Sequence, residues 1–102
     1  MADFLKIMQQ AQEMQGRLQD ELSAITVAGS AGAGMVTVEA DGKGTVKKVR
    51  IDPSVVNPAD VEMLEDLVAV AVGDAQRKAG EAAQAQMQKL MGGFPLPFKL
   101  PF

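Results

Sequence analysis

Glu62, Glu65 and Asp66 stand within five consecutive positions, and Glu62 and Asp66 would lie one turn apart on a helix. Paired carboxylates of this kind can hold a divalent cation or work as general acid and base. Little else in the chain offers chemistry. It has no histidine, cysteine, tryptophan or tyrosine. A structural zinc site therefore lacks its usual ligands, and Ser23, Ser30 and Ser54 have no histidine to activate them. Acids are also favoured near a helix start, where they meet the positive end of the helix dipole and face solvent. That reading accounts for the cluster without catalysis, and the residues predict no catalytic centre, no metal and no cofactor.

The second concentration of charge is positive. Residues 45 to 51 read T-V-K-K-V-R-I inside a chain of formal net charge −3. The first 25 residues hold four acids and two bases, and residues 26 to 51 hold four bases and two acids. Residues 52 to 73 hold five acids and no base. Lys47, Lys48 and Arg50 thus sit on the clearly positive segment, with Arg77 and Lys78 as a second pair. On residues alone, the strand cations serve first as a charged outer face that discourages edge aggregation, and second as contacts for nucleic acid. The glycines of G-S-A-G-A-G at 29 to 34 suggest a phosphate loop, but a strand follows where a helix N-terminus is needed. They are read as turn glycines. G-K-G-T at 42 to 45 is likewise read as a hairpin turn.

The elements that would carry these groups follow from periodicity. Phe4, Met8, Ala11, Leu18, Leu22 and Ile25, with Gln15 filling the gap between Ala11 and Leu18, recur at spacings of four and three, and Ile7 and Met14 widen the stripe. This predicts a helix over residues 3 to 25 that packs along another helix. From Thr26 the pattern alternates and is punctuated by glycine, predicting three antiparallel strands joined by tight turns. Strict alternation in the last strand would place Val46 with Lys48 and Arg50. A β-bulge at Lys47-Lys48 returns Val46, Val49 and Ile51 to one face and leaves the cations outside. Asp52-Pro53 ends the strand. Asn57 is expected to cap a second helix with Pro58 at its first position. Its buried stripe is Val61, Leu64, Leu67, Val68, Ala71, Val72 and Ala75, and it runs to about Met91 and Gly92-Gly93.

The chain of 102 residues, 47% hydrophobic and 23% charged, has the size and composition of one globular domain. We assign residues 1–91 to an α-β-β-β-α domain and residues 92–102 to a Pro/Phe-rich tail whose docking on a partner chain is left open. No run of 18 apolar residues suggests a membrane span, and M-A-D-F-L-K does not read as a targeting segment. Lack of cysteine fits a cytoplasmic setting. The two helices, roughly 34 and 50 Å long at about 1.5 Å per residue, exceed what a small sheet can cover. A homodimer is the expectation.

Five stretches together carry a family resemblance: M-Q-Q-A-Q-E-M-Q, G-S-A-G-A-G-M-V-T-V-E-A-D-G-K-G, V-R-I-D-P-S-V-V, M-L-E-D-L-V-A-V-A-V-G-D-A, and the ending F-P-L-P-F-K-L-P-F. In order and spacing the chain resembles the YbaB/EbfC nucleoid-associated proteins of bacteria. The resemblance implies an α+β fold with a long N-terminal helix, a three-stranded antiparallel sheet and a long C-terminal helix, assembled as a tweezers-like homodimer on double-stranded DNA. It implies no enzyme activity. By position and charge, the expected DNA contacts are Lys47, Lys48 and Arg50 on the last strand, Arg77 and Lys78 on the long helix, and Lys6 and Arg17 on the first. The expected binding is largely independent of sequence, made through phosphates, in the nucleoid. The alternative is an acidic protein-interaction module that docks on replication or repair proteins.

Overall fold

A computed structural model describes residues 2–90, and the expected tail at 92–102 and helix end at Met91 lie outside the described residues. The order of elements is α1 (Ala2–Ala24), β1 (Thr26–Ala31), β2 (Val36–Asp41), β3 (Val46–Ile51), a 3-10 turn (Pro53–Val55) and α2 (Val61–Leu90). The strands form one antiparallel sheet in the order β1-β2-β3. This is the predicted α+β arrangement.

The core lies between the sheet and the middle of α2. Val36, Val38 and Ala40 alternate along β2 and are fully covered, together with Ala31, Ala71 and Ala75. Leu64, Leu67, Val68 and Val72 border them. Of the predicted α2 stripe, Val61 departs and is exposed. Small alanines on α2 bring its axis close to the strands, and Gly29 lets it come closer still. A Cβ at Gly29 would overlap the α2 backbone at Ala71 and Ala75. Residues 29 to 31, predicted as turn, therefore belong to β1, and glycine is needed there for a close helix approach. The turn itself is residues 32–35, where Gly32, Ala33 and Gly34 all take positive φ.

The β2–β3 hairpin follows the D-G-K-G signal. The buried carboxylate of Asp41 accepts the N–H groups of Lys43 at 2.9 Å and Thr45 at 3.1 Å, and Gly44 has φ 87°. Beyond the turn, Val46 pairs with Ala40 and Lys48 with Glu39, so Lys47 is the extra residue of a bulge. Val49 and Ile51 then stand opposite Val38 and Val36 on the helix-facing side. Lys48 and Arg50 oppose Glu39 and Thr37 on the other side. The bulge inferred from broken alternation is present.

The start of α2 corrects one expectation. Asp60 is the cap, its Oδ1 accepting the N–H of Met63 at 3.2 Å. Asn57 instead closes a turn upstream: its side chain accepts from Ala59 at 3.0 Å and its carbonyl from Asp60 at 2.9 Å. Both residues can bond to backbone nearby, and the local Asx turn at Asn57 takes the first such site out of the helix.

α2 covers β1 and β2 but leaves the inner side of β3 open, with Val46, Val49 and Ile51 37–43% exposed. The predicted α1 stripe meets other residues only at its end, where Leu18, Leu22 and Ile25 are half-buried. The chain is accordingly elongated, 67 × 27 × 17 Å with a radius of gyration of 19.0 Å, against about 13 Å for a compact chain of this length. No helix among the described residues is long and apolar enough to cross a membrane.

Candidate nucleic-acid interface

The outer side of the sheet is carried by alternate residues: Thr26, Ala28 and Ser30 on β1, Thr37 and Glu39 on β2, Lys48 and Arg50 on β3. Strand alternation makes this face, and the bulge at Lys47 sets which β3 residues join it. No helix lies over it, and Lys48 and Arg50 are exposed. Among the described residues neither one enters an ion pair.

The other candidate cations are differently placed. Lys47 Nζ lies 3.6 Å from Asp41 Oδ2. Burial pushes the Asp41 carboxyl up, but the Thr45 and Lys43 N–H groups and the Lys47 charge outweigh it, and the net direction is down. Arg77 donates to Asp74 at 2.8 Å and to Glu81 at 2.7 Å, and these acids raise its pKa. Lys78 lies 3.3 Å from Asp74 and donates to the Ala28 carbonyl at 3.1 Å. Lys6 and Arg17 are exposed along α1, far from the strand cations in sequence and joined to no carboxylate within the described residues.

Asp74 is the centre of the α2 group. Its Oδ2 also accepts the N–H of Ser30 at 3.1 Å. The Arg77 hydrogen bond, then that of Ser30, holds its carboxyl down at about 2. Asp74 and Lys78 thereby satisfy the outward N–H of Ser30 and C=O of Ala28, closing the β1 edge of the sheet. The seven predicted site residues thus divide: Lys78 joins α2 to β1 while Arg77 pairs with Asp74 and Glu81 within α2, Lys47 braces the hairpin, Lys48 and Arg50 face solvent together, and Lys6 and Arg17 stand exposed on α1.

Two residues of this face were missed from sequence. Glu39 and Thr37 stand directly across from Lys48 and Arg50. The T-V-E alternation of β2 was the available signal, since it places Thr37 and Glu39 opposite the core valines. The acidic cluster lies elsewhere. Glu62 and Asp66, with Asp60, Met63, Leu67 and Val70, line an open pocket of ≈ 420 Å³ at the start of α2. Among the described residues no three His, Cys, Asp or Glu side chains are grouped so that they could hold a metal ion.

Comparison with known proteins places this geometry in context. Residues 1–94 match the family model described as the YbaB/EbfC DNA-binding family. A nucleoid-associated protein from Gemmatimonas aurantiaca is 52% identical, the match covering 98% of this chain and 99% of that one. One from Nitrobacter winogradskyi is 50% identical over 100% and 99% of the two chains. Among solved structures, an uncharacterized protein from Helicobacter pylori shares the fold with a TM-score of 0.74 at 18% identity, covering 90% of this chain and 97% of that one.

Proposed function

The chain belongs to the YbaB/EbfC DNA-binding family, and on that premise we propose that it binds double-stranded DNA as a homodimer, through phosphate contacts with little sequence preference, and changes the conformation of the DNA it holds. One observation carries the reading. In a chain of net charge −3, Lys48 and Arg50 stand together on an exposed sheet face, and neither forms an ion pair with a carboxylate among the described residues. Two cations per protomer, doubled in a dimer, supply a local positive field that the whole-chain charge conceals.

The character of the face favours backbone over base contact. Its other side chains are alanine, serine, threonine and one glutamate. It offers no Asn or Gln fork, and its arginine works beside a lysine on an otherwise short-chained surface. Phosphate contacts position a protein on a duplex without reading bases. The homodimer is supported by the uncovered apolar side of β3 and by the forward half of α1, surfaces a lone small domain rarely exposes. Relatives named nucleoid-associated proteins support a place in the nucleoid, in the cytoplasm. No reaction is assigned.

Gel retardation of unrelated duplexes at two salt concentrations tests the reading. The expected result is salt-sensitive binding of similar strength to each. Retention of one duplex alone, or none at low salt, would overturn it.

A further inference from the structure

The outer side of the sheet ends in one large apolar side chain. Asp52 N–H donates to Met35 O at 2.8 Å, which carries the β2–β3 register one pair beyond Val36 and Ile51. Alternation then sets Met35 on the side of Thr37 and Glu39, away from the fully buried Val36. Met35, Thr37 and Arg50 accordingly line one open recess at this end of the sheet, together with Gly34, Ile51 and Asp52. The rest of the face is alanine, serine, threonine or charged.

Met35 keeps 37% of its surface exposed and is no part of the core cluster. The Ser54 hydroxyl donates to its Sδ at 3.7 Å, a weak contact because a thioether is a poor acceptor. The turn before it is exposed and built of small residues, Gly32, Ala33 and Gly34. A Cβ at Gly34 would meet nothing within 4 Å, so a large body can approach Met35 from the turn side.

Charge decides which part of a duplex can lie there. Lys48 and Arg50 suit phosphates, but the next outward residue on this strand path is Asp52. The Ser54 N–H, 2.9 Å from Asp52 Oδ1, holds that carboxyl below the usual range, so it is anionic and repels phosphate. From the Thr37–Arg50 pair to the Met35–Asp52 pair is two residues, about 7 Å along a strand. The minor groove of a duplex is about 6 Å wide. A phosphate seated on Arg50 therefore leaves the groove, with its base edges, over Met35. Apolar side chains, methionine among them, open base steps from the minor groove and kink the duplex.

We propose that Met35 is the wedge that bends the DNA held by Lys48 and Arg50, its side chain entering the minor groove and pressing between adjacent base pairs. The inference rests on the proposed DNA binding and deepens it by naming the residue that changes the shape of the duplex. The bend falls at pliable steps such as T-A, and no base edge is read.

The test uses the full chain and a short duplex that carries a dye at each end and a fluorescent adenine analogue beside a central T-A step. Energy transfer between the dyes reports bending, the analogue brightens when its stack opens, and anisotropy against salt reports phosphate contact. The parent is expected to bring the ends together, by a kink of roughly 20–90°, and to brighten the analogue. Met35→Ala should lose both signals while its salt slope stays that of the parent, because no charge is removed. Met35→Leu, which restores apolar bulk, should recover both. Circular dichroism and urea midpoints check the fold, and Met35→Gln, of similar length but polar, replaces the alanine variant if that one unfolds. A folded Met35→Ala or Met35→Gln that bends DNA like the parent overturns the proposal, as does Met35→Leu without a bend. A parent that binds without bending overturns it too. In each of these cases salt-sensitive binding leaves the role of Lys48 and Arg50 standing. A parent that binds no duplex removes both.

Discussion

Asp74 accepts a hydrogen bond from Arg77 at 2.8 Å, three residues further along α2. That pairing separates cations that serve the fold from cations open to phosphate. Lys78 shares the same carboxylate, and the carboxylate itself holds the edge of β1. Lys48 and Arg50 have no such obligation.

The first expected consequence concerns acid. The Asp74 carboxyl is held from its ordinary 3.8 down to about 2 by Arg77 and Ser30. A carboxylate with a depressed folded pKa stabilises the fold above its unfolded pKa, and that contribution fades as pH falls through the folded value. Urea midpoints should therefore drop between pH 3.8 and about 2, and Asp74→Asn should flatten that part of the profile. A variant with the same acid slope as the parent would mean these contacts contribute nothing.

Gly29→Ala tests the helix approach. The added methyl meets the α2 backbone, which cannot yield as a flexible side chain would. Overpacking of this kind costs about 1–3 kcal/mol. Chemical denaturation should show a lower midpoint with an unchanged slope. Equal stability would place α2 further from β1 than described.

Glu39→Gln removes a negative charge across from Lys48 on the outer face. A unit charge about 4 Å away in water is worth about 1 kcal/mol, so duplex binding should tighten by roughly fivefold per engaged face. Fluorescence anisotropy at fixed salt measures this. Weaker binding would indicate that Glu39 orients Lys48 instead of opposing phosphate.

Much of the fold was legible because its signals are local. Loss of alternation at Lys47-Lys48 required a bulge, and D-G-K-G required a hairpin. What escaped depended on distant partners or on competition between equals. Gly29 reads like its neighbours in G-S-A-G-A-G until α2 is laid over it. Asn57 and Asp60 are both good caps, and only the fold decides which one the helix uses. The site was half legible. Charge counting found Arg77 and Lys78 but hid their neutralisation, although the spacing of Asp74, Arg77 and Glu81 matches helical ion pairs. Glu39 and Thr37 gained meaning only when strand register set them across from Lys48 and Arg50.

The central claim is that Lys48 and Arg50 hold duplex DNA through phosphates. The most direct measurement is affinity against salt for the parent and for the double reversal Lys48→Glu/Arg50→Glu, on two unrelated duplexes. If about four phosphates are neutralised, log K for the parent should fall with log salt at a slope of roughly −3.6, on the order of a hundredfold between about 50 and 200 mM. The double variant should bind both duplexes more weakly by the same factor and show a shallower slope, with native circular dichroism. Unchanged affinity and slope in a folded double variant would contradict the account and move the DNA contact away from the sheet.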